Sequence, residues 1–175
     1  MNDQNSLSDN GADAPPSKVD AAVIALVCKN SELLMIKRAN SLTDRWSSHI
    51  AFPGGRLRPG EDALAAAQRE FGEEVGLDAN EFRLLGALKD VSPNTPPHLI
   101  VRPFVYASEY EPKFIIDPDE VQEARFVAVS MLKPGFKEIN SKTRDVYFFD
   151  DWVIWGMTKR IIDQLLEAMP ECIRP

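Results

Sequence analysis

The feature that most constrains the fold is the segment at residues 55–77, which reads GRLRPGEDALAAAQREFGEEVGL. After a start rich in glycine and proline, it has helical periodicity from Asp62 to Val75, and Gly76 stands where glycine favours the end of a helix. Four apolar residues would lie within roughly 80° of one another on that helix. They are Leu64, Ala67, Phe71 and Val75. The segment therefore predicts a helix that packs a narrow apolar stripe on a sheet.

A second face of this predicted helix is acidic. Glu70, Glu73 and Glu74 fall within roughly 100° of one another, because residues three and four apart are neighbours on a helix. Their mutual repulsion costs on the order of a few tenths of a kcal/mol per pair. A cation placed among them would remove that repulsion, and carboxylate oxygens suit Mg²⁺ or Mn²⁺.

The alternative is that these acids only solvate an exposed helix face. That interpretation leaves several neighbouring features unexplained, namely the glycine pair at 54–55 and the Pro-Gly pair at 59–60. It also leaves unexplained Arg69, which stands four residues before Glu73, where an ion pair forms along a helix. The whole pattern therefore favours a metal site over a solvated face.

Apolar runs separated by turn residues predict strands in the rest of the chain. The predicted strands lie at 21–28, 32–38, 49–52, 82–88, 99–107 and 124–129. The first run is apolar throughout, which suits a strand buried on both faces. Residues 151–169 predict an amphipathic helix, with Val153, Ile154, Met157, Ile161, Leu165 and Met169 apolar. Strands alternating with two helices indicate a mixed α/β architecture.

Composition limits the domain organisation and the possible partners. Residues 1–18 are polar and predict a disordered tail ahead of a single domain at 19–175. The formal net charge of −7 argues against affinity for nucleic acid or anionic lipid, although a bound metal would still admit an anionic substrate. Cys28 and Cys172 match no metal or redox spacing and fit a reducing compartment. With no membrane-spanning run and no secretory signal, the expectation is a cytoplasmic protein.

The segment at 55–77 resembles the Nudix box, G-x5-E-x7-R-E-U-x-E-E-x-G-U, in which U is a bulky apolar residue. Its fixed positions are matched by Gly55, Glu61, Arg69, Glu70, Phe71, Glu73, Glu74, Gly76 and Leu77. The resemblance implies a hydrolase that cleaves a diphosphate bond in a nucleotide-like substrate. The implied fold is an α/β/α sandwich with a mixed sheet and a loop-helix-loop catalytic motif. The implied metal ligands are Glu61, Glu70, Glu73 and Glu74, and Arg69 would hold a catalytic glutamate through an ion pair.

This chemistry also requires a base. Metal ions that bridge diphosphate oxygens neutralise charge and lower the pKa of bound water, and a carboxylate within hydrogen-bond reach takes the proton. Glu73 and Glu74 are candidate bases within the box. Glu120, in the stretch DPDEVQEARFV, is the candidate outside it. The alternative for Glu120 is a solvated acid at the entrance of a strand.

Residues 33–55, LLMIKRANSLTDRWSSHIAFPGG, resemble the upstream signature of coenzyme A pyrophosphatases, L-L-T-x-R-[SA]-x3-R-x3-G-x3-F-P-G-G. The matching positions are Leu34, Arg38, Ala39, Phe52, Pro53, Gly54 and Gly55. The central part departs from the signature, because it has one extra residue, Ser48 in place of glycine, and Arg45 as the second arginine. VRPFV at 101–105 and IWGMTKRIIDQLL at 154–166 also resemble this subfamily.

This resemblance suggests which residues contact the substrate. The candidates are Arg38, Arg45, Phe52, Gly54 and Gly55. Arg38 and Arg45 would contact phosphates, whereas Trp46 or Phe52 would stack on a base or shape the pocket. The alternatives are a surface charge for Arg38 and core positions for the two aromatic residues.

Three functions are compatible with these residues. The first is hydrolysis of coenzyme A or its derivatives, and the second is the same chemistry on ADP-ribose, a nucleotide sugar or a nucleoside triphosphate. The third is a nucleotide-sensing module without cleavage, which the intact set of Arg69 and the box glutamates argues against. The expected partners are Mg²⁺ or Mn²⁺ and a small nucleotide diphosphate, and a homodimer is left open.

Overall fold

The computed structural model describes residues 18–40, 46–94, 96 and 98–168. The strands are β1 Ala21–Cys28, β2 Glu32–Arg38, β3 Ile50–Ala51, β4 Gly54–Arg56, β5 Arg83–Ala87, β6 Val101–Ala107, β7 Val121–Ala128, β8 Lys133–Ile139, β9 Lys142–Phe149 and β10 Trp152–Trp155. The helices are α1 Ala63–Val75 and α2 Gly156–Ala168. The tail predicted at 1–18 lies, except for Lys18, outside the described residues. None of the helices in these ranges is long and apolar enough to span a membrane.

Seven strands form one mixed sheet. Its path is β3-β2-β1-β6-β5, with β4 paired to β1 and β7 paired to β2. β1 and β6 run parallel, whereas the other pairs are antiparallel. β1 pairs with β2 only at Val27 and Cys28, next to the connection between the two strands, so the first half of β1 is available to β4. The predicted mixed sheet is confirmed.

This sheet is buried on both faces, which explains the continuous apolar run of β1. Successive side chains of a strand point to opposite faces. Ile24 and Leu26 join a core with the apolar stripe of α1, and Ala25 and Val27 join a second core with α2. Phe71 of the stripe is fully buried, and its truncation to alanine would cost about 3–5 kcal/mol. The predicted α/β/α sandwich is therefore confirmed.

A second sheet of three strands, in the order β10-β9-β8, lies beside α2. The apolar pattern predicted a helix from residue 151, and this start is wrong. Residues 152–155, WVIW, form β10 because aromatic and β-branched side chains favour strands. Gly156 then adopts a φ of 66°, which lets the chain turn from β10 into α2.

The strands β8 and β9 were not predicted from the sequence. These strands form a hairpin whose turn contains Asn140 and Ser141, with φ values of 52° and 56°. Two successive positive φ values match the twist of a hairpin. Gly135 in β8 lies beneath the ring of Phe148, and a Cβ there would lie 2.8 Å from Cε2 of that ring. The turn signal was present in the sequence, but Pro134 and Gly135 masked the periodicity of the strand.

Candidate active site

The caps of α1 fix the orientation of its two faces. The Asp62 carboxylate accepts a hydrogen bond of 2.9 Å from the backbone N–H of Ala65 at the start of the helix. Gly76 ends the helix with a φ of 66°, and its N–H donates to the Gly72 carbonyl at 3.0 Å. A Cβ at Gly76 would lie 2.9 Å from the carbonyl oxygen of Ile115, so the next segment packs closely on this end. The acidic face is thereby held toward β4.

Glu74 is the buried acid of that face, with a relative exposure of 1%. Its Oε2 accepts a hydrogen bond of 2.8 Å from the Gly54 N–H, and its Oε1 lies 3.7 Å from Nη1 of Arg38. Glycine is required at residue 54 because its φ is 148° and a Cβ would lie 2.3 Å from the carbonyl oxygen of Ala22. Burial raises the pKa of Glu74 to about 8, although Gly54 and Arg38 both lower it.

Three carboxylates converge beside the helix and form what we call the carboxylate cluster. Glu70, Glu74 and Glu120 each place one oxygen so that the three lie within 4.8 Å of one another. Glu70 comes this close to the loop because Gly55 lacks a side chain, and a Cβ there would lie 2.5 Å from Cδ of Glu70. The pKa of Glu120 is raised by burial and by the charge of Glu70. The cluster therefore offers oxygen donors that a divalent cation can bind.

Backbone hydrogen bonds hold the segment that contains Glu120 at this position. Ile115 and Asp117 donate their N–H groups to the last two carbonyls of α1, at 3.0 and 3.1 Å. The last carbonyls of a helix receive no hydrogen bond from within the helix, so the N–H groups of the segment at 115–117 supply the missing donors. The Ala39 N–H also donates to the Glu120 carbonyl at 2.9 Å. Glu120 is thus fixed between the end of β2 and the end of the box helix.

Arg69 connects the remaining acids. Its Nε and Nη2 donate to the two oxygens of Glu61 at 2.8 and 2.9 Å, and its Nη1 donates to Glu70 at 2.6 Å. The same Nη1 donates to Glu73 at 2.9 Å, which is the ion pair predicted along the helix. Arg69 and the backbone N–H of Arg58 lower the pKa of Glu61 to about 2. These contacts in turn raise the pKa of Arg69.

The four ligands predicted from the box therefore lie in two places. Glu70 and Glu74 belong to the carboxylate cluster, whereas Glu61 and Glu73 contact Arg69 without belonging to it; Glu70 also contacts Arg69. The Glu73 side chain is 42% exposed and also pairs with Arg58 at 3.1 Å. The third member of the carboxylate cluster is therefore Glu120 and not Glu73.

The predicted substrate-binding residues also differ in position. Arg38 ends β2 beside the cluster, and Gly54 and Gly55 approach the cluster through their backbone. Phe52 is only 2% exposed and packs in the core on the α2 side, so it takes the core position instead of contacting a substrate. Arg45 lies outside the described residues.

The sandwich and its loop-helix-loop site are those of the Nudix fold. A sequence model of the NUDIX domain matches residues 18–148. The chain therefore belongs to the Nudix family, and it is a pyrophosphohydrolase. Enzymes of this family generally use divalent metal ions such as Mg²⁺ and act on small nucleotide substrates.

Individual relatives agree with this assignment. The uncharacterized Nudix hydrolase NudL of Photorhabdus laumondii is 26% identical over 172 residues, covering 93% of this chain and 88% of that protein. The uncharacterized Nudix hydrolase NudL of Yersinia pestis is 26% identical over 158 residues, which cover 85% of this chain and 78% of that protein. A MutT Nudix hydrolase structure from Burkholderia pseudomallei superposes with a TM-score of 0.56 at 18% identity, covering 83% of this chain and 95% of its own. At that identity, the structure supports the fold alone.

Proposed function

We propose that the chain cleaves a diphosphate bond linking a nucleoside to another group, with Mg²⁺ or Mn²⁺ at the carboxylate cluster and coenzyme A or a derivative as substrate. The main supporting observation is the convergence of Glu70, Glu74 and Glu120 within 4.8 Å. A diphosphate is anionic, so it can approach these carboxylates only with a cation between them.

The donor set fits a divalent ion. Every oxygen of the cluster comes from a carboxylate, and Mg²⁺ takes carboxylates together with water and substrate phosphates. Burial and the neighbouring carboxylates raise the pKa values of Glu74 and Glu120, although Arg38 lowers both, so a bound cation would stabilise the ionised cluster. When bound, a divalent ion supplies charge neutralisation to the diphosphate and lowers the pKa of a bound water. Glu70 and Glu74 are the proposed ligands. Of the two other acids that the resemblance implies as ligands, Glu73 can exchange its arginine contacts for the ion, whereas Glu61 is proposed to hold Arg69 instead.

Arg69 is proposed as a positioning residue. It holds Glu70 from one side at 2.6 Å while Glu61 holds Arg69 through two hydrogen bonds. This geometry restricts the rotamer of Glu70, one oxygen of which lies in the cluster. An arginine fork suits this role because its donors have fixed relative directions.

Glu120 is proposed as the general base, with Glu73 and Glu74 as the candidates within the box. Burial and the charge of Glu70 raise the pKa of Glu120, which favours the uptake of a proton from an attacking water. Both oxygens of Glu74 already have partners, the Gly54 N–H and Arg38. Glu120 is therefore better placed to accept the proton.

The choice of coenzyme A rests on the signature upstream of the box. Arg38, which matches that signature, lies 3.7 Å from Glu74 and can pair with a phosphate bound at the cluster. Similar folds occur in an Ap4A hydrolase from C. elegans and in a bifunctional NMN adenylyltransferase/ADP ribose pyrophosphatase from Francisella tularensis, with TM-scores of 0.53 and 0.54. Those names support a nucleotide with a phosphate anhydride without favouring one substrate.

A substrate panel tests the proposal. Coenzyme A, dephospho-coenzyme A, ADP-ribose, a nucleotide sugar and a nucleoside triphosphate are compared by kcat/KM with mass-spectrometric identification of the products. We expect coenzyme A to give a phosphopantetheine and adenosine 3',5'-bisphosphate with the highest kcat/KM. Much faster hydrolysis of ADP-ribose or a triphosphate would refute the substrate, and binding without any cleavage would favour the sensing module.

A further inference from the structure

The second sheet packs one face against α2, and its other face carries the fully buried Val146 beside more accessible residues. On the covered face, Tyr147 donates to Asp163 of α2 at 2.8 Å, and Lys159 of α2 pairs with Asp145 at 2.8 Å. Because side chains alternate along a strand, the even-numbered residues of β9 point the other way. Arg144 is one of these, and it faces away from α2.

Two neighbours of Arg144 share that face. Trp155 pairs with Val146 in the register of β10 and β9, and the Arg144 guanidinium lies over the Trp155 ring, 5.8 Å from its centroid. Lys137 of β8 is directly opposite Arg144 across the hairpin. The face therefore combines an aromatic surface with two cations.

The contact between Trp155 and His49 connects this face to the carboxylate cluster. The two rings lie 4.9 Å apart, centroid to centroid. The Arg38 N–H donates to the His49 carbonyl at 3.0 Å, one residue beyond the last printed pair of β2 and β3, Lys37 with Ile50. Trp155 therefore contacts a residue that is hydrogen-bonded to the backbone of Arg38, the arginine that lies beside Glu74.

The charge on this face is unbalanced. Like charges directly opposite each other on a hairpin are unfavourable, and Arg144 and Lys137 are such a pair. Within the described ranges neither residue makes an ion pair, and the buried Nε of Arg144 has no hydrogen-bond partner. Arg102 and Arg125, which are also partly buried, each pair with acidic residues instead. In a chain of net charge −7, this pair of cations indicates an anion-binding position.

We propose that Arg144, supported by Trp155 and assisted by Lys137, binds a phosphate monoester on the nucleoside half of the substrate. This inference rests on the proposed function, in which the diphosphate lies at the carboxylate cluster beside Arg38. Arg144 then determines specificity for a nucleotide with an additional phosphate, such as the 3'-phosphate of coenzyme A. The stacked Trp155 restricts the guanidinium and so reduces the entropy lost on binding.

Binding of two product-like probes tests the assignment without turnover. Calorimetry measures the Kd of adenosine 3',5'-bisphosphate and of adenosine 5'-monophosphate in the presence of Mg²⁺. Wild type should bind the bisphosphate at least about tenfold more tightly, since a guanidinium–phosphate contact is charge-assisted. Arg144→Gln should reduce that preference below about threefold, and Arg144→Lys should retain part of it. Arg83→Gln, on the distant strand β5, is the matched control and should retain all of it.

Three results would overturn the assignment. The first is a wild type that binds the bisphosphate no more tightly than the monophosphate. The second is an Arg144→Gln variant that loses affinity for both probes equally at unchanged Tm. The third is an Arg83→Gln variant that loses the preference for the bisphosphate as Arg144→Gln does. The failure of the proposed function gives a different result. If coenzyme A is not hydrolysed but Arg144 still confers the preference for the bisphosphate, the substrate is wrong and the phosphate site stands.

Discussion

The acids of the active site form two groups with opposite electrostatics. Glu61 and Glu73 face arginine side chains, and the pKa of Glu61 falls to about 2. Glu70, Glu74 and Glu120 converge on one another although Arg69 contacts Glu70 and Arg38 lies near Glu74, and burial raises the pKa of Glu74 to about 8. Four of these five residues come from one short helical motif and its loop. Chemically identical side chains therefore differ in role because the fold buries some and pairs others with arginine.

Metal removal should have the largest effect on turnover, and it tests whether the carboxylate cluster needs a cation. In excess EDTA, turnover should fall to background, because the diphosphate then meets uncompensated carboxylates. Addition of Mg²⁺ beyond the chelator should restore it. Full turnover in EDTA would mean that the cluster does not act through a metal.

Neutral substitutions within the cluster should come next. Glu74→Gln and Glu120→Gln each keep the shape of the side chain but remove a proposed ligand or base, and each should lower kcat at least about a hundredfold. Circular dichroism and Tm provide the control for folding. Near wild-type kcat for both variants would refute the role of the cluster.

The group held by arginine gives a sharper comparison. Glu61 accepts three hydrogen bonds and has little freedom, so Glu61→Gln should cost about tenfold or less in kcat/KM. The Glu73 side chain is 42% exposed, and each of its oxygens makes one contact with an arginine. Because it can exchange these contacts for a metal ion, Glu73→Gln should lower kcat/KM at least about a hundredfold. Equal effects of the two changes would show that the arginine contacts do not separate their roles.

Gly55→Ala tests the geometry of the cluster without removing a charge. The added Cβ would lie 2.5 Å from Cδ of Glu70, so the carboxylate must move. A displacement of about 1 Å should lower kcat/KM about tenfold, with little change in KM for the metal-saturated enzyme. Wild-type kcat/KM in this variant would mean that the position of Glu70 is not critical.

The smallest effect concerns the stability of the metal-free protein. The pKa of Glu74 is about 8 in the folded state against an ordinary value of 4.5. The contribution of Glu74 to the free energy of unfolding is therefore fully present below pH 4.5 and is lost as pH rises through 8. Between pH 5 and pH 8.5, the Tm in EDTA should fall by roughly 5 °C more in wild type than in Glu74→Gln. Identical pH dependence in the two proteins would contradict the raised pKa.

The sequence predicted the helical part of the site because its information is local. The spacing of the apolar stripe, the helix end at Gly76 and the pair of Arg69 with Glu73 all depend on residues within one helix or its end. The convergence of Glu120 depends instead on hydrogen bonds between the segment at 115–117 and the end of α1, which no local pattern encodes. Glu120 could be named from its residue type, but its position could not be derived.

The second sheet was missed for a related reason. The strand β10 runs directly into α2, so a single apolar run contained two periodicities, and the helical one was extended too far. The opposition of Arg144 and Lys137 depends on the register of a hairpin that the sequence analysis did not assign. Tertiary packing determined both features.

Metal affinity tests the central claim most directly. Binding of Mn²⁺ to wild type, Glu70→Gln, Glu74→Gln and Glu61→Gln can be measured by electron paramagnetic resonance of the free ion. The account predicts that wild type and Glu61→Gln bind with Kd values within about threefold, whereas both cluster variants bind at least about tenfold more weakly. Equal affinity in all four proteins, or weaker binding only in Glu61→Gln, would contradict the placement of the metal at the carboxylate cluster.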